Sequence, residues 1–355
     1  MKRCMSFLLL TLLTGILWSS PDSLSARTIG PSPALRSVLN RPVPQVPARM
    51  QVANMQLELD AQARREIQAD VDALYRNENY LQIKLRRIRT YLPLVEAELR
   101  AAGMPDDLKY LVIQESSLIA DAVSSSNAVG YWQFKQGTAE EVFLRVDRQI
   151  DERKNIVSST QGAARYLGKN MATFDNWMVA IVAYQMGPGG AKNYFGSQFS
   201  GQRKLQIDRK THWYFKKFLA HKVAFEGYQD GFVSQTESLQ AVPLQGPTTL
   251  KSLAAEWSVP LERLEAYNKW TRDGHIPGDK TYTVIVPGAS DIRPPVLAER
   301  RPQAVPSPSD PSLLAGNVPS ASAILTSAPE LYRSRRPAKA PWQHSWACEK
   351  VNSAA

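Results

Sequence analysis

Trp177 to Tyr184 (Trp-Met-Val-Ala-Ile-Val-Ala-Tyr) is apolar on nearly every side, and no other segment constrains the fold as much. A helix of that composition has no face to offer water, so other elements must enclose it at the centre of a core. Neighbouring segments have the periodicity to do this. From Lys84 to Ala102, the residues Leu85, Ile88, Leu92, Val95 and Leu99 recur at helical intervals, with Gly103 as the stop. Pro93 is expected to break or kink that helix. Ser158 and Gln161 have capping-box spacing, which predicts a helix with Ala163, Leu167, Met171 and Phe174 on one side. Asp175 is expected to cap the central helix, and an amphipathic helix should run from about Thr211 to Phe225. Helical segments are expected from near Gln56, and no convincing strand alternation precedes residue 236. Residues 56–230 therefore read as an all-α domain long enough to build one core.

The flanks differ in composition. Lys2 and Arg3, the apolar run Phe7 to Trp18 and small residues around Ser25 and Ala26 fit a secretory signal, residues 1–26, cleaved near Ala26. Cys4 follows Met-Lys-Arg, which is not the sequence that precedes a lipidated cysteine. An uncleaved anchor is the alternative. Residues 27–55, punctuated by Pro31, Pro33, Pro42, Pro44 and Pro47, read as a linker. Residues 291–355, rich in Pro, Ser, Ala and Arg, read as a disordered tail. Once the leader is removed only Cys348 remains, so no intramolecular disulfide is expected. His212, His221, His275 and His344 lack metal-ligand spacing, so neither a metal nor a cofactor is expected. The net charge of +10 lies partly in the leader and tail, without a nucleic-acid-binding signature; a basic exported chain fits the anionic cell envelope better than nucleic acid.

The chemistry points to Glu115. Pro105, Asp106 and Asp107 suit a helix start, and Leu108, Leu111, Val112 and Glu115 follow i, i+3, i+4, i+7 spacing. A carboxylate on that apolar face should be partly desolvated, with a raised pKa, as a proton donor near neutral pH requires. The competing reading is a helix-end glutamate turned back to water.

Glu115 is followed by Ser116 and Ser117, then by Ser124-Ser125-Ser126-Asn127-Ala128-Val129-Gly130-Tyr131-Trp132-Gln133-Phe134. Next come Asp151 to Asn155, running into Ser159 to Leu167, and finally Ala183-Tyr184-Gln185-Met186-Gly187-Pro188-Gly189. In this order the blocks resemble the catalytic domain of lytic murein transglycosylases of the membrane-bound D type, over roughly residues 70–228. The resemblance implies a goose-lysozyme-like fold and cleavage of the bond between N-acetylmuramic acid and N-acetylglucosamine. Glu115 would be the single catalytic acid and base, and the product would carry a 1,6-anhydro ring. It also implies that Ser116 belongs to the substrate site and orients or hydrogen-bonds near the acid, that Gln133, Tyr184 and Gln185 meet the substrate, and that Tyr131 and Trp132 shape its wall. Relatives carry Asn where this chain has Gln185, which moves the amide one methylene outward. The loop from Asp151 to Asn155 reads as architectural, with Arg153 paired to acids of its own loop.

Residues 236–290 change character: Leu239 to Val242, Gly246 to Leu250, Leu253 to Trp257, and then the strand-like Tyr282 to Pro287. They resemble a lysin-motif (LysM) module, a small α+β strand–helix–helix–strand fold that binds N-acetylglucosamine polymers, although Pro247 replaces the usual acidic residue. The expected partners are peptidoglycan glycan strands, in the periplasm or cell envelope, with membrane association left open. A hydrolytic muramidase and a non-catalytic wall-binding protein are the competing readings.

Overall fold

The computed structural model describes residues 42–227 and 237–288, all within one compact unit, Met1–Val296. The expected leader, the tail, both cysteines and the linker before residue 42 lie outside the described residues.

The chain first forms a hairpin. Strands β1 (Arg49–Val52) and β2 (Met55–Leu59) pair antiparallel, and β3 (Lys204–Ile207) joins β2 in parallel, completing a three-stranded sheet. The helical domain is thus mainly α but not all-α, and its helices start after Gln56. Residues 42–55 are not a free linker either: Val46 is buried and its amide donates to Gln68 Oε1 (2.9 Å).

Helix α1 (Ala61–Tyr75) is capped by Asp60, which accepts from the Ala63 amide, and it buries Ala63, Ile67 and Val71 at four-residue intervals. Helix α2 (Glu78–Ala101) begins earlier than its apolar spacing predicts and runs through Pro93. A mid-helix proline costs about 3 kcal/mol or more. Burial of Leu92, Val95 and Leu99 beside it returns about 1.5–3 kcal/mol per side chain, so packing wins.

A 3-10 turn at Asp106–Leu108 leads into α3 (Lys109–Ser116), and α4 (Gln136–Glu141) follows a long loop. Helix α5 (Ile156–Phe174) is capped by Asn155, whose side chain accepts from Val157 and Ser158, so the cap lies three residues before the predicted one. Asp175 is left-handed and closes α5; Asn176 caps the next helix, α6 (Trp177–Phe195). Residues Trp177 to Ala183 of α6 are buried throughout, as their composition requires. Helix α7 (Trp213–Phe225) is enclosed from Tyr214 to Phe225 apart from a partly exposed Lys217, and is not amphipathic. Helices α5 and α7 pack against α6, α2 against α5, and α1 and α3 against α7.

In the C-terminal part, β4 (Leu239–Gln245) pairs antiparallel with β7 (Thr281–Pro287). Between them lie β5 (Thr248–Thr249), α8 (Leu250–Glu256), α9 (Leu261–Tyr267) and β6 (His275–Ile276). Asn268 knits this part together: its amide donates to the carbonyls of Leu264 and Ile285 and accepts from Trp270 Nε1 and the Ile285 amide. Among the described residues no helix is long and apolar enough to cross a membrane.

Candidate active site

Helix α3 is buried on several sides, from Lys109 to Ile113 and at Ser116, so an apolar stripe alone does not place Glu115. What places it is the way the helix stops. Ser117 and Leu118 are both left-handed (φ 53° and 60°), a strained pair for residues with side chains. The Ser117 amide donates to Ile113 O (3.0 Å), and Ser116 Oγ accepts from the Ile119 amide (3.3 Å). Glu115 is therefore held in the last turn at the edge of the core, partly buried.

Burial pushes its carboxyl up to about 7, against the opposing pull of a hydrogen bond from Tyr214 and the charge of Lys217. The Tyr214 hydroxyl donates directly to Glu115 Oε1. Among the described residues, the side chains that shift it are Tyr214 and Lys217, neither of them a carboxylate. Burial and the Glu115 charge hold the phenols of Tyr214 and Tyr184 well above the ordinary tyrosine range, so both remain O–H donors at neutral pH.

The loop from Gly130 to Phe134 is fastened beside the acid from two directions. Ser116 Oγ donates to Tyr131 O (2.6 Å), and Tyr184 donates its hydroxyl to Trp132 O (2.8 Å). Gln133, the next residue, is left-handed at φ 52°; its side-chain amide donates to Gly130 O (2.9 Å) and Ala122 O (3.1 Å). Gly130 faces close backbone, since a Cβ there would lie 1.9 Å from Arg153 O.

The structure thus brings Glu115, Tyr184 and the Gln133 loop together. Two sequence expectations need correction. Tyr131 and Trp132 are fully buried and cannot wall a substrate groove. The Tyr131 ring packs 5.4 Å from Tyr91, and Trp132 Nε1 donates to Thr160 Oγ1 (2.9 Å). Ser116 is also buried; its hydroxyl bonds to backbone, so it braces the loop and does not face a substrate. Gln185 is exposed on α6, just before the kink at Gly187 (φ 79°, ψ 157°). Arg153 grips Asp151 with two nitrogens (2.8 and 2.9 Å), both residues being buried, as expected of an architectural loop.

Sequence reasoning missed Tyr214. It lies 99 residues from Glu115, in a segment read only as an amphipathic helix, and no local pattern announces a partner that far away. It also missed the exposed aromatic row beside Tyr214. The Trp213 ring lies 5.5 Å from Tyr214 and 5.7 Å from His212, and Tyr194 is edge-on to His212 at 5.3 Å. Trp213 and Tyr194 are 42% and 57% exposed, which marks them as surface-facing rings. The adjacent Trp-Tyr-Phe triplet at 213–215 was the available signal. Among the described residues no cluster of His, Cys, Asp and Glu is arranged to hold a metal ion.

Residues 93–207 match the family model described as the Transglycosylase SLT domain, so the match spans α3, the Gln133 loop and all of α6. This likeness and the observed architecture agree on a lysozyme-like, mainly helical fold. Among known proteins, the chain is 24% identical over 223 residues to membrane-bound lytic murein transglycosylase D of Escherichia coli (strain K12), covering 60% of this chain and 49% of that protein. It is 28% identical over 108 residues to a protein named for tributyltin chloride resistance in Alteromonas sp. (strain M-1), covering 30% of this chain and 52% of that one. The chain thus spans about half the length of the curated relatives it matches. Among solved structures, an inactive mutant of the lytic transglycosylase Slt from Pseudomonas aeruginosa is 16% identical with a TM-score of 0.29, covering 48% of this chain and 28% of that one.

Proposed function

We propose that the chain cleaves peptidoglycan glycan strands as a lytic transglycosylase. The observation that carries this reading is Glu115: a carboxyl pushed to about 7, bonded by Tyr214, with no second carboxylate among the described side chains that shift it. Glycoside hydrolysis ordinarily uses two acids. A single group that holds a proton at neutral pH fits a route in which one side chain acts twice.

In the first step Glu115 gives its proton to the glycosidic oxygen. The bond to muramyl C1 breaks, and the N-acetylglucosamine side leaves with a 4-hydroxyl. Tyr214 donates to the carboxylate that has just formed and lowers its energy. In the second step Glu115 removes the proton from the muramyl C6 hydroxyl, whose oxygen closes on C1. The nucleophile belongs to the same ring, so its effective concentration is high and no water is consumed. Gln133 and Gln185 are proposed to contact the sugar. Trp213 and Tyr194 supply the apolar wall in place of the buried Tyr131 and Trp132, because an aromatic face with a polar edge suits a sugar ring in water. The C-terminal unit is proposed to be a LysM-like glycan-binding module and the chain to act in the cell envelope, in keeping with its basic charge.

The experiment is solubilisation of purified sacculi by the wild-type chain and by Glu115→Gln. The amide keeps the size of the side chain and still accepts from Tyr214, but has no proton to give. The variant should still sediment with sacculi while its release of soluble fragments falls at least ~10²-fold. Full lytic activity in Glu115→Gln would remove the acid from its role. Binding without lysis by the wild type would favour the non-catalytic reading.

A further inference from the structure

The C-terminal unit is built into the helical domain and does not hang beside it. Ile150, from the loop before α5, is fully buried in that unit's own core, while Ile285 of β7 belongs to the helical core. Ile150 bridges to Thr271, the Asp151 amide donates to Trp270 O (2.8 Å), and the Arg272 amide donates to Gln149 O (2.9 Å). Asn155 donates Nδ2 to Thr283 O (2.7 Å), and Lys280 pairs with buried Glu152 (2.7 Å).

Three further contacts end one or two steps from the Gln133 loop. The Arg272 guanidinium lies 3.4 Å from Asp151 Oδ2. Asp151 holds Arg153, and Arg153 in turn donates Nη1 to Phe134 O (3.3 Å) and sets its own carbonyl against Gly130. The Tyr267 ring lies 6.0 Å from Tyr91, which packs on Tyr131. Lys269 pairs with Asp121 at 2.8 Å, next to Ala122, whose carbonyl accepts from both Gln133 Nε2 and the Gly130 amide.

We infer that the C-terminal unit positions the Gln133 loop, with Arg272, Tyr267 and Lys269 as positioning residues acting through Asp151, Tyr91 and Asp121. The need is physical. Gln133 holds a left-handed backbone that persists only where its surroundings over-determine it. Ser116 and Tyr184 fasten the loop beside the acid; the C-terminal unit holds it through Asp151, Tyr91 and Asp121. The functional meaning of the loop rests on the proposed lytic reading, but its mechanical support does not. A sugar-binding role and a positioning role are compatible in one unit. A chain lacking residues 237–288 would expose Ile150, Asp151 and Glu152 together, so deletion cannot separate the two roles and point substitutions must.

The test uses the full chain and amide hydrogen exchange. The variants are Lys269→Ala/Arg272→Ala, both side chains being roughly half exposed, Tyr267→Ala, and Tyr267→Phe, which keeps the ring. In the double variant and Tyr267→Ala, amides 129–134 should exchange about tenfold faster with α6 protection retained. The double variant should also keep the wild-type melting curve, whereas Tyr267→Ala, which loses a partly buried ring and its bond to Glu237 Oε2 (2.6 Å), should melt lower. Tyr267→Phe, which keeps the ring on Tyr91 and loses only the bond to Glu237, should match wild type at amides 129–134. Release of soluble fragments from sacculi should fall several-fold in the two loosened variants, as a loss in kcat with sacculus binding retained. Wild-type exchange at 129–134 in both loosened variants overturns the inference, and so does faster exchange spread evenly over all helices. If the wild-type chain proves non-lytic while the loop amides respond as expected, the proposed activity fails and the positioning stands.

Discussion

Glu115 and Tyr214 show how one hydrogen bond can serve a reaction by working against the pKa shift it accompanies. Burial favours the protonated acid; the Tyr214 hydroxyl favours the carboxylate, and burial wins, leaving the group near 7. Tyr214→Phe removes the larger of the two opposing contributions and leaves the Lys217 charge, so the Glu115 pKa rises further. A net bond to a charged group is worth about 1.5–3 kcal/mol, which corresponds to about one to two pH units. The alkaline limb of kcat/KM for sacculus solubilisation should therefore move to higher pH in Tyr214→Phe, while the maximum rate falls because the nascent carboxylate loses its donor. An alkaline limb that stayed in place or moved to lower pH would show that Tyr214 does not bond the acid in solution. The pair also shows where sequence reading reaches its limit. Glu115 was legible from its neighbours and from the blocks around it. Tyr214 was not, because the contact depends on α7 crossing α3, and only the assembled core makes that crossing.

At the scale of elements, α6 does two jobs with one break. Its first half is the enclosed central helix and ends in Tyr184 and Gln185; its second half turns away and presents Tyr194. The break is Gly187, whose φ 79° and ψ 157° lie in a region open almost only to glycine. A Cβ there would meet nothing within 4 Å, so the cost of Gly187→Ala is conformational and amounts to about 1–3 kcal/mol. Thermal unfolding should register this as a loss of ~2–4 °C per kcal/mol, together with reduced lysis as Tyr184 and Gln185 shift. Gly189→Ala, also in open space but helical, should be neutral or up to ~1 kcal/mol more stable. Equal effects at the two positions would contradict this account of the kink. The buried helices were legible here because their periodicity repeats over many residues. The three-stranded sheet was not: β2 alternates for only five residues, and its partner β3 is four residues long and nearly 150 positions away. The caps of α5 and α6 slipped by one to three residues because several polar residues compete at each site and only backbone geometry selects among them.

For the whole molecule, the outer strands β4 and β7 and the helices between them could be read from the chain, but the short β5–β6 pair and the integration of this unit could not. Its partners include Ile150, Asp151 and Glu152; the sequence reads Asp151 to Asn155 as an architectural loop paired within itself, and the junction with residues 237–288 exists only in three dimensions. The helical core, which holds the acid, and the C-terminal unit, which is joined to it at Ile150 to Glu152, form one structure. The most direct test of the proposed lytic reaction is digestion of purified sacculi with the full chain, followed by mass spectrometry of the released fragments. The released fragments should carry muramyl ends lighter by one water, closed as 1,6-anhydro rings. Reducing muramyl ends in their place would mean that water, and not the substrate's own C6 hydroxyl, attacks C1.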